Sequence, residues 1–134
     1  MTSYELGKQG EIIAQKYLEN QKYFIVTRNF KCAYGEIDII AIDKGEIVFI
    51  EVKTRCNQKY GEARDSVGQI KKKHIKKASM YYIYKYHLEN RYVRFDVIEA
   101  YLKDNKFFIK HIKNTLWWNP YANRLLLYFV NKKQ

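Results

Sequence analysis

Three charged residues interrupt two apolar stretches in the middle of the chain, and their types could do chemistry together. Asp38 lies in GEIDIIAI, whereas Glu51 and Lys53 lie in EIVFIEVKTR. Both stretches are rich in Ile, Val and Phe, which is typical of interior strands covered on both faces. Because side chains alternate along a strand, Glu51 and Lys53 point to one face and Val52 to the other. Charged groups in such a setting are rarely buried without a partner or a task.

The turn between these stretches predicts which residues face each other. The tetrapeptide Asp43-Lys44-Gly45-Glu46 joins the two strands, and Gly45 is free to take a positive φ. A turn centred between Lys44 and Gly45 gives a register that continues to Asp38 opposite Glu51. Their Cβ atoms would lie about 5 Å apart, so a raised pKa, a nearby cation or a bound metal must offset their repulsion. The alternative is a solvated hairpin with a Glu–Lys pair, and the apolar neighbours argue against it.

A predicted helix from Thr2 to Asn20 adds a third carboxylate, Glu11. Thr2 and Glu5 have the spacing of a capping box at the start of this helix. Apolar residues recur along it at helical spacing, and Glu11 lies at the edge of that stripe, on the same line as Leu18. We therefore expect Glu11 to be aimed near the sheet. The alternative is a glutamate that only solvates the flank of the helix.

An acid on one strand and an acid-x-lysine on the next are what metal-dependent phosphodiester cleavage requires. The acids Asp38 and Glu51 would hold the metal, which polarises the phosphate and lowers the pKa of a bound water. Lys53 would position that water or stabilise charge on the phosphate. Because the proposed ligands are oxygen atoms, Mg²⁺ or Mn²⁺ is favoured over zinc.

The elements that must position these residues can be predicted from periodicity and turn signals. The predicted order is helix, three strands, helix, two strands and tail, which indicates an α/β fold with a mixed central sheet flanked by helices. After the first helix, the predicted elements are strands Tyr23–Phe30, Ile37–Ile42 and Ile47–Lys53, a polar loop Thr54–Asp65, a helix Ser66–Tyr86, strands Tyr92–Tyr101 and Lys106–Lys113, and a short helix Tyr121–Val130.

The second helix carries a cluster of lysines beside a buried line of Ile75, Ala78 and Tyr82. Lys71 lies on that line one turn earlier. The formal net charge of +11 favours a polyanion as partner, and nucleic acid is the commonest. A lysine run is often only a solvated face, but this one follows the Glu51–Lys53 strand, which favours phosphate binding. The candidate nucleic-acid contacts are Lys71, Lys72, Lys73, Lys76, Lys77 and Arg55.

Length predicts one domain, which we place over residues 1–118, and Pro120 breaks the chain at the start of a C-terminal tail over 119–134, expected to be a short helix packed on the domain. No apolar run approaches the roughly 20 residues of a membrane span, so no membrane association is expected. The polar N-terminus does not have the pattern of a signal peptide. Cys32 and Cys56 lack a metal-type spacing, which indicates free thiols and a cytoplasmic protein. Asp96 is interpreted as structural, paired with Arg94 or a backbone group.

The sequence resembles the YraN-like family of the PD-(D/E)xK nuclease superfamily. The resemblance rests on GKQGEIIAQKYL, GEIDIIA, VFIEVKTR and RFDV, and it covers residues 4 to 116. It implies a restriction-endonuclease-like fold, a mixed sheet flanked by helices. Usual members of the superfamily are DNA endonucleases, and the nearest by pattern are archaeal Holliday-junction resolvases. The tail after Asn119, with Trp117 and Trp118, does not match the family pattern.

Position by position, the resemblance implies roles for five residues of the site. Asp38 and Glu51 match the metal-binding acids, and Lys53 matches the catalytic lysine. Glu11 matches the helix glutamate that reaches the metal, often through water, and the main-chain carbonyl of Val52 is a further ligand. In a separate element, Lys71 matches a basic position of the second helix, whereas Gly68 stands where a capping Thr is expected.

The leading hypothesis is therefore a Mg²⁺-dependent endonuclease that acts on branched or otherwise structured DNA. The alternative is a nucleic-acid-binding module that keeps the fold without turnover. A third reading is an interaction protein that uses its basic surface on a ribosome or an acidic partner. A homodimer would suit a two-stranded substrate, by analogy alone.

Overall fold

The computed structural model describes residues 1–56 and 68–115 of the chain. In the described ranges the elements are α1 (Ser3–Asn20), β1 (Phe24–Cys32), β2 (Gly35–Asp43), β3 (Glu46–Arg55), α2 (Gln69–Lys85), β4 (Val93–Lys103) and β5 (Lys106–Ile112). The predictions for residues 57–67 and 116–134 lie outside these ranges. They include most of the polar loop, Trp117 and Trp118, and the short C-terminal helix, so the division into domain and tail stays a prediction.

The five strands form one sheet in the order β1-β2-β3-β4-β5. Strands β3 and β4 are parallel, and α2 lies in the connection between them, whereas the three remaining pairs are antiparallel. A parallel pair needs a crossover connection of this kind, which explains why the helix stands between these two strands. The predicted α/β class with a mixed, helix-flanked sheet is confirmed and is consistent with a restriction-endonuclease-like fold.

The two helices cover opposite faces of the sheet with two apolar cores. On the α1 face, Ala14 and Leu18 pack with Ile39, Ile50 and other buried residues. On the α2 face the core consists of Ile37, Ile40, Ile47, Phe49, Ile75, Ala78, Tyr82, Ile83 and Phe95. The predicted buried line of α2 is therefore confirmed. Burying each Ile or Leu contributes about 1.5–3 kcal/mol, so both helices are held firmly on the sheet.

Helix α1 begins at the predicted capping box and docks closely on β3. Thr2 Oγ1 accepts a hydrogen bond from the Glu5 backbone N at 3.1 Å, and Glu5 Oε2 accepts one from the Thr2 backbone N at 3.2 Å. Gly10 packs against the Thr54 side chain so tightly that a Cβ at Gly10 would overlap it. This close approach places the next residue, Glu11, beside the end of β3.

The predicted hairpin register is confirmed as far as the pairing runs. Asp43 pairs with Glu46, and the ladder continues to Ile39 opposite Ile50. Both central turn residues have positive φ, 51° at Lys44 and 84° at Gly45. Positive φ at both positions is the geometry of a type I′ turn, whose twist matches that of the flanking strands.

Within the described ranges, some element ends were predicted wrongly, by one or two residues. Strand β3 continues through Thr54 to Arg55, so these two residues belong to the strand and not to the polar loop. Parallel pairing with β4, which extends to Arg55 opposite Tyr101, keeps them in the sheet. Helix α2 begins at Gln69 after Gly68, and Gly68 has no side chain to cap it. Neither helix in the described ranges is long and apolar enough to cross a membrane.

Candidate active site

A cleft of about 480 Å³ opens where β2 begins and β3 ends, beside the first turns of α1. Its lining includes Glu11, Asp38, Lys71 and the stretch from Glu51 to Cys56. The structure thus brings together every predicted catalytic and metal-binding residue, together with Arg55 and Lys71. The other predicted nucleic-acid contacts, Lys72, Lys73, Lys76 and Lys77, lie on α2 outside this lining.

Asp38 is fixed by the backbone of β3 at the point where the paired ladder ends. Its Oδ2 accepts a hydrogen bond from the Val52 backbone N at 2.8 Å, directly beyond the Ile39–Ile50 pair. The carboxylate therefore stays close to the strand that carries Glu51. The predicted consequence is seen in the electrostatics, because the negative charge of Asp38 raises the pKa of both Glu51 and Glu11.

Glu51 is the most strongly perturbed carboxyl group of the cleft. The residue is 1% exposed. Burial is the main cause that raises its pKa to about 7, and the charge of Asp38 raises it further. Lys71 and Lys53 act in the opposite direction. Because a bound cation would stabilise the charged form, this carboxylate is poised to gain from binding one.

Two lysines approach Glu51 from different elements. The Lys53 ammonium lies 3.8 Å from Glu51 Oε1, and the Lys71 ammonium contacts the same oxygen more closely. Burial, followed by the positive neighbour Lys71, lowers the pKa of Lys53 to about 8, although Glu51 opposes the change. Burial disfavours the charged form of Lys71, but its interactions with Glu51 outweigh this effect and its pKa is raised.

Glu11 lies at the edge of the cleft, as expected from the helical stripe. Its side chain is 21% exposed, and the Lys8 ammonium is 3.8 Å away. Burial is the main cause that raises the pKa of Glu11, and Asp38 adds to it. The negative charge of Asp38 therefore acts on Glu11, although Asp38 lies in the sheet and Glu11 in a helix packed on it.

The donors fit a hard divalent cation in type, but not in their present arrangement. Asp38, Glu51 and the main chain of Val52 offer oxygen atoms, which are the ligands that Mg²⁺ and Mn²⁺ prefer. Within residues 1–56 and 68–115, no three carboxylate, imidazole or thiol groups lie close enough together to hold a metal ion. The Lys71 ammonium already contacts Glu51, so a cation on this carboxylate would have to replace it.

Sequence reasoning missed one contact within the site and one buried carboxylate next to it in the sheet. It placed Lys71 on a nucleic-acid surface, whereas the structure also pairs Lys71 with Glu51. The signal was present, because Lys71 precedes Ile75 by one turn on the line that faces the sheet. It also overlooked Glu99, a fully buried carboxylate on β4 that is paired in register with Lys53. The alternation of VIEAY could have indicated an inward position.

Comparison with known proteins assigns the chain to a family. Residues 10–100 match the model of "Uncharacterised protein family UPF0102". The chain belongs to UPF0102. This family, also called the YraN family, is a PD-(D/E)xK-like nuclease family, so the resemblance predicted from the sequence is confirmed. The match begins within α1 at Gly10 and ends within β4 at Ala100, so it includes Glu11, Asp38, Glu51, Lys53 and Lys71 of the cleft.

Relatives in several bacteria are similar over most of their length. A UPF0102 protein of Clostridium botulinum is 47% identical over 113 residues, covering 82% of this chain and 92% of the relative. One from Caldicellulosiruptor saccharolyticus is 40% identical over 116 residues, covering 85% and 98%. Another from Geotalea uraniireducens is 46% identical over 110 residues, covering 81% and 87%. The names of these relatives state the family and no activity.

A solved structure, the crystal structure of SSO0001, is 17% identical with a TM-score of 0.37. The match covers 91% of this chain and 56% of that chain. A similarity this low has no bearing on the fold or the function of this chain.

Proposed function

We propose that this UPF0102 protein is a Mg²⁺- or Mn²⁺-dependent endonuclease that cleaves phosphodiester bonds in branched or otherwise structured DNA. The observation that carries the proposal is the convergence of Glu11, Asp38, Glu51 and Lys53 on one cleft. Burial and mutual repulsion raise the pKa of Glu51 to about 7, and burial and Lys71 lower that of Lys53 to about 8. Such perturbed, neighbouring groups in a cleft are typical of functional sites.

Each residue has a chemical task in this proposal. Asp38, held in place by the Val52 backbone N, and Glu51 would hold the cation, with Glu11 at the edge of the cleft. The cation, when bound, supplies Lewis-acid stabilisation of the phosphate and a more acidic water. Lys53 is buried enough to give up its proton near neutral pH, so its Nζ can hold or donate a proton close to the reacting phosphate. We therefore assign Lys53 as the catalytic lysine.

The basic residues around the cleft support a nucleic-acid substrate. Arg55 and Lys71 lie in the lining, and four further lysines continue along α2. Together with the net charge of +11, these side chains would bind the phosphate backbone without reading its sequence. We expect them to orient the strand so that one phosphate reaches the carboxylates.

One observation favours a second candidate, a nucleic-acid-binding module without turnover. The ammonium of Lys71 occupies Glu51, and the described residues include no cluster of three metal-ligating side chains. In that case the cleft would be neutralised by lysines and the basic face would bind DNA alone. The two candidates differ in their need for a cation, which an experiment can separate.

The test is incubation with duplex, single-stranded, flapped and four-way DNA in Mg²⁺, Mn²⁺ or EDTA. We expect cleavage of at least one structured substrate in Mg²⁺ or Mn²⁺ and none in EDTA. Lys53→Ala should lower the cleavage rate about a hundredfold or more while DNA binding is kept. Lys16→Ala removes an exposed lysine of α1 outside the cleft and is the matched control.

The contrary results are equally specific. DNA binding without cleavage of any substrate in either metal would favour the binding module. Cleavage that is unchanged in Lys53→Ala would remove Lys53 from the mechanism, or would show that a contaminating nuclease produces the signal.

A further inference from the structure

Lys71 stands where a metal on Glu51 would have to bind. Its ammonium contacts Glu51 Oε1, and the Glu51 side chain is only 2% exposed. The Lys71 side chain, in contrast, is 49% exposed. One end of this ion pair is therefore buried in the site, whereas the other belongs to a long side chain that can reach solvent.

Lys71 lies at a helix position where its own helix does not stabilise a positive charge. Lys71 is in the first turn of α2, where the helix dipole disfavours a positive charge. The first turn contains no acidic residue, and Gly68 provides no side-chain cap. The stabilising partner is Glu51, on a different element. If another cation neutralises Glu51, Lys71 is deprived of that stabilisation and is repelled from the cleft.

Lys53 cannot leave Glu51 in the way that Lys71 can. Its side chain is 14% exposed and lies 3.8 Å from Glu51 Oε1, on the same strand. It is therefore held beside Glu51 whether or not another ligand is present. Of the two lysines, Lys71 is the one that can exchange Glu51 for an anion outside the protein.

We propose that Lys71 blocks the cation position on Glu51 in the free protein and transfers to a phosphate of the bound nucleic acid, so that nucleic acid and cation bind cooperatively. This inference rests on the proposed function, because it concerns the regulation of the same site. An ammonium ion and a divalent cation exclude each other at one buried carboxylate oxygen. A phosphate near the mouth of the cleft would compete with Glu51 for Lys71 and free the carboxylate.

This coupling has a thermodynamic consequence that can be measured. If DNA increases the affinity for the cation by some factor, the cation must increase the affinity for DNA by the same factor. The apparent Kd of the free protein for the cation is weakened by the fraction of molecules in which Glu51 is accessible. If Lys71 occupies Glu51 about nine-tenths of the time, its removal should tighten the Kd about tenfold.

The first experiment titrates Mn²⁺ into the full chain without DNA and measures the Kd by calorimetry. Lys71→Gln should bind Mn²⁺ about tenfold more tightly than the native protein, whereas Lys71→Arg, which keeps a cation on Glu51, should bind as weakly as native. Lys16→Gln makes the same charge change on the exposed face of α1 and should leave the Kd unchanged. An equal Kd for Lys71→Gln and native, or equal tightening by Lys16→Gln, would overturn the proposal.

The second experiment repeats the titration at low salt with a duplex that the protein binds but does not cut. The duplex should tighten the Mn²⁺ Kd of the native protein and should have a much smaller effect on Lys71→Gln. Equal tightening in both would show that phosphate does not act through Lys71 and would overturn the transfer step.

The two proposals can fail separately. If the native protein cleaves no DNA but Lys71→Gln binds Mn²⁺ more tightly than the native protein, the block by Lys71 is supported and the nuclease activity is contradicted. If the native protein cleaves DNA only with metal, but the Mn²⁺ Kd of Lys71→Gln equals that of the native protein, the nuclease activity is supported and the block by Lys71 is contradicted.

Discussion

Two buried carboxylates on neighbouring strands of the same sheet have opposite surroundings. Glu51 on β3 is 1% exposed and Asp96 on β4 is 0% exposed. Asp96 accepts hydrogen bonds from Arg94 Nε and Nη2 at 2.9 and 3.1 Å, from His111 Nε2 at 2.7 Å and from the Asn114 backbone N at 2.9 Å. Burial would raise the pKa of Asp96, but these donors outweigh it and the pKa is lowered.

The Asp96 region continues as a network that joins several elements. Arg94 also donates to Asp43 at 3.1 Å and to the Tyr23 hydroxyl at 2.6 Å, and His111 Nδ1 lies 2.9 Å from the Tyr17 hydroxyl. The network therefore links α1, the end of β2, β4 and β5. The predicted pairing of Asp96 with Arg94 and with a backbone group is confirmed, and its structural role stays a prediction.

The comparison shows that partners, and not burial, distinguish a structural acid from a candidate functional one. The donors around Asp96 stabilise its negative charge, so this carboxylate stabilises the fold without a further ligand. Burial and the negative charge of Asp38 both act on Glu51, and two lysines offset them only in part, so its pKa rises to about 7. A cation or a proton can stabilise Glu51 further, whereas Asp96 has little left to gain. Three predictions test this difference, and a fourth tests the basic face of α2 beside the cleft.

The largest effect is expected from Asp96→Asn. This change leaves Arg94 and His111, whose side chains are 11% and 5% exposed, without their buried anion. Loss of one partner of a buried pair costs about 3–5 kcal/mol, so we expect a loss of that size in urea unfolding. Asp104→Asn, in the exposed turn between β4 and β5, is the matched control and should change little. A loss under about 1 kcal/mol would show that the network is not structural.

The pH dependence of stability should separate the two acids. The folded-state pKa of Glu51 is raised from 4.5 to about 7, so the folded state binds the extra proton between these values. Stability should therefore fall as pH rises from about 4.5 to about 7, by on the order of 3 kcal/mol. Asp96 has a lowered pKa, so the stability that it contributes is present at higher pH and is lost on acidification below its unfolded value.

Urea unfolding at several pH values from 4.5 to 8 measures how the free energy of unfolding changes with pH. Glu51→Gln should remove the loss, and Asp38→Asn should reduce it, because Asp38 is the second cause of the raised pKa. Glu89→Gln, an exposed acid after α2, is the control and should keep the native slope. A native slope in Glu51→Gln would assign the titration to another group.

A smaller effect concerns the sharing of one cation by Asp38 and Glu51. A metal that binds only the folded state stabilises it by about 2.7 kcal/mol at a hundredfold excess over Kd, which raises Tm by several degrees. We expect Asp38→Asn to abolish this Mn²⁺-induced rise and to leave the metal-free Tm unchanged or higher. Asp104→Asn should keep the full rise. Equal shifts in Asp38→Asn and native protein, with Mn²⁺ titrated to millimolar levels, would exclude Asp38 as a ligand.

The smallest effect per residue concerns the lysines of α2 outside the cleft. Replacing Lys72, Lys73, Lys76 and Lys77 by Gln should reduce the slope of log K against log[salt] by about 0.9 for each phosphate of duplex DNA that the protein no longer neutralises. Fluorescence anisotropy at several salt concentrations measures this slope. An unchanged slope would mean that the four lysines form only a solvated face and that the cleft residues alone bind phosphate.

The sequence alone was enough to predict the hairpin register that brings Asp38 near Glu51. The turn at Lys44 and Gly45 and the alternation of side chains are local properties, and a two-residue turn determines the register of the strands that it joins. The capping box of α1 and the buried line of α2 are local in the same sense. The family pattern then indicated which of these residues could do chemistry.

The tertiary structure alone decided which side chains from distant elements meet. The contacts of Lys71 with Glu51, of Thr54 with Gly10 and of Tyr17 with His111 depend on how each helix packs across the sheet. Tyr17 and His111 are 94 residues apart, and no periodicity within a single element encodes such a contact. Burial is likewise a property of the whole packed domain, which is why the raised pKa of Glu51 and the complete burial of Glu99 required the folded chain.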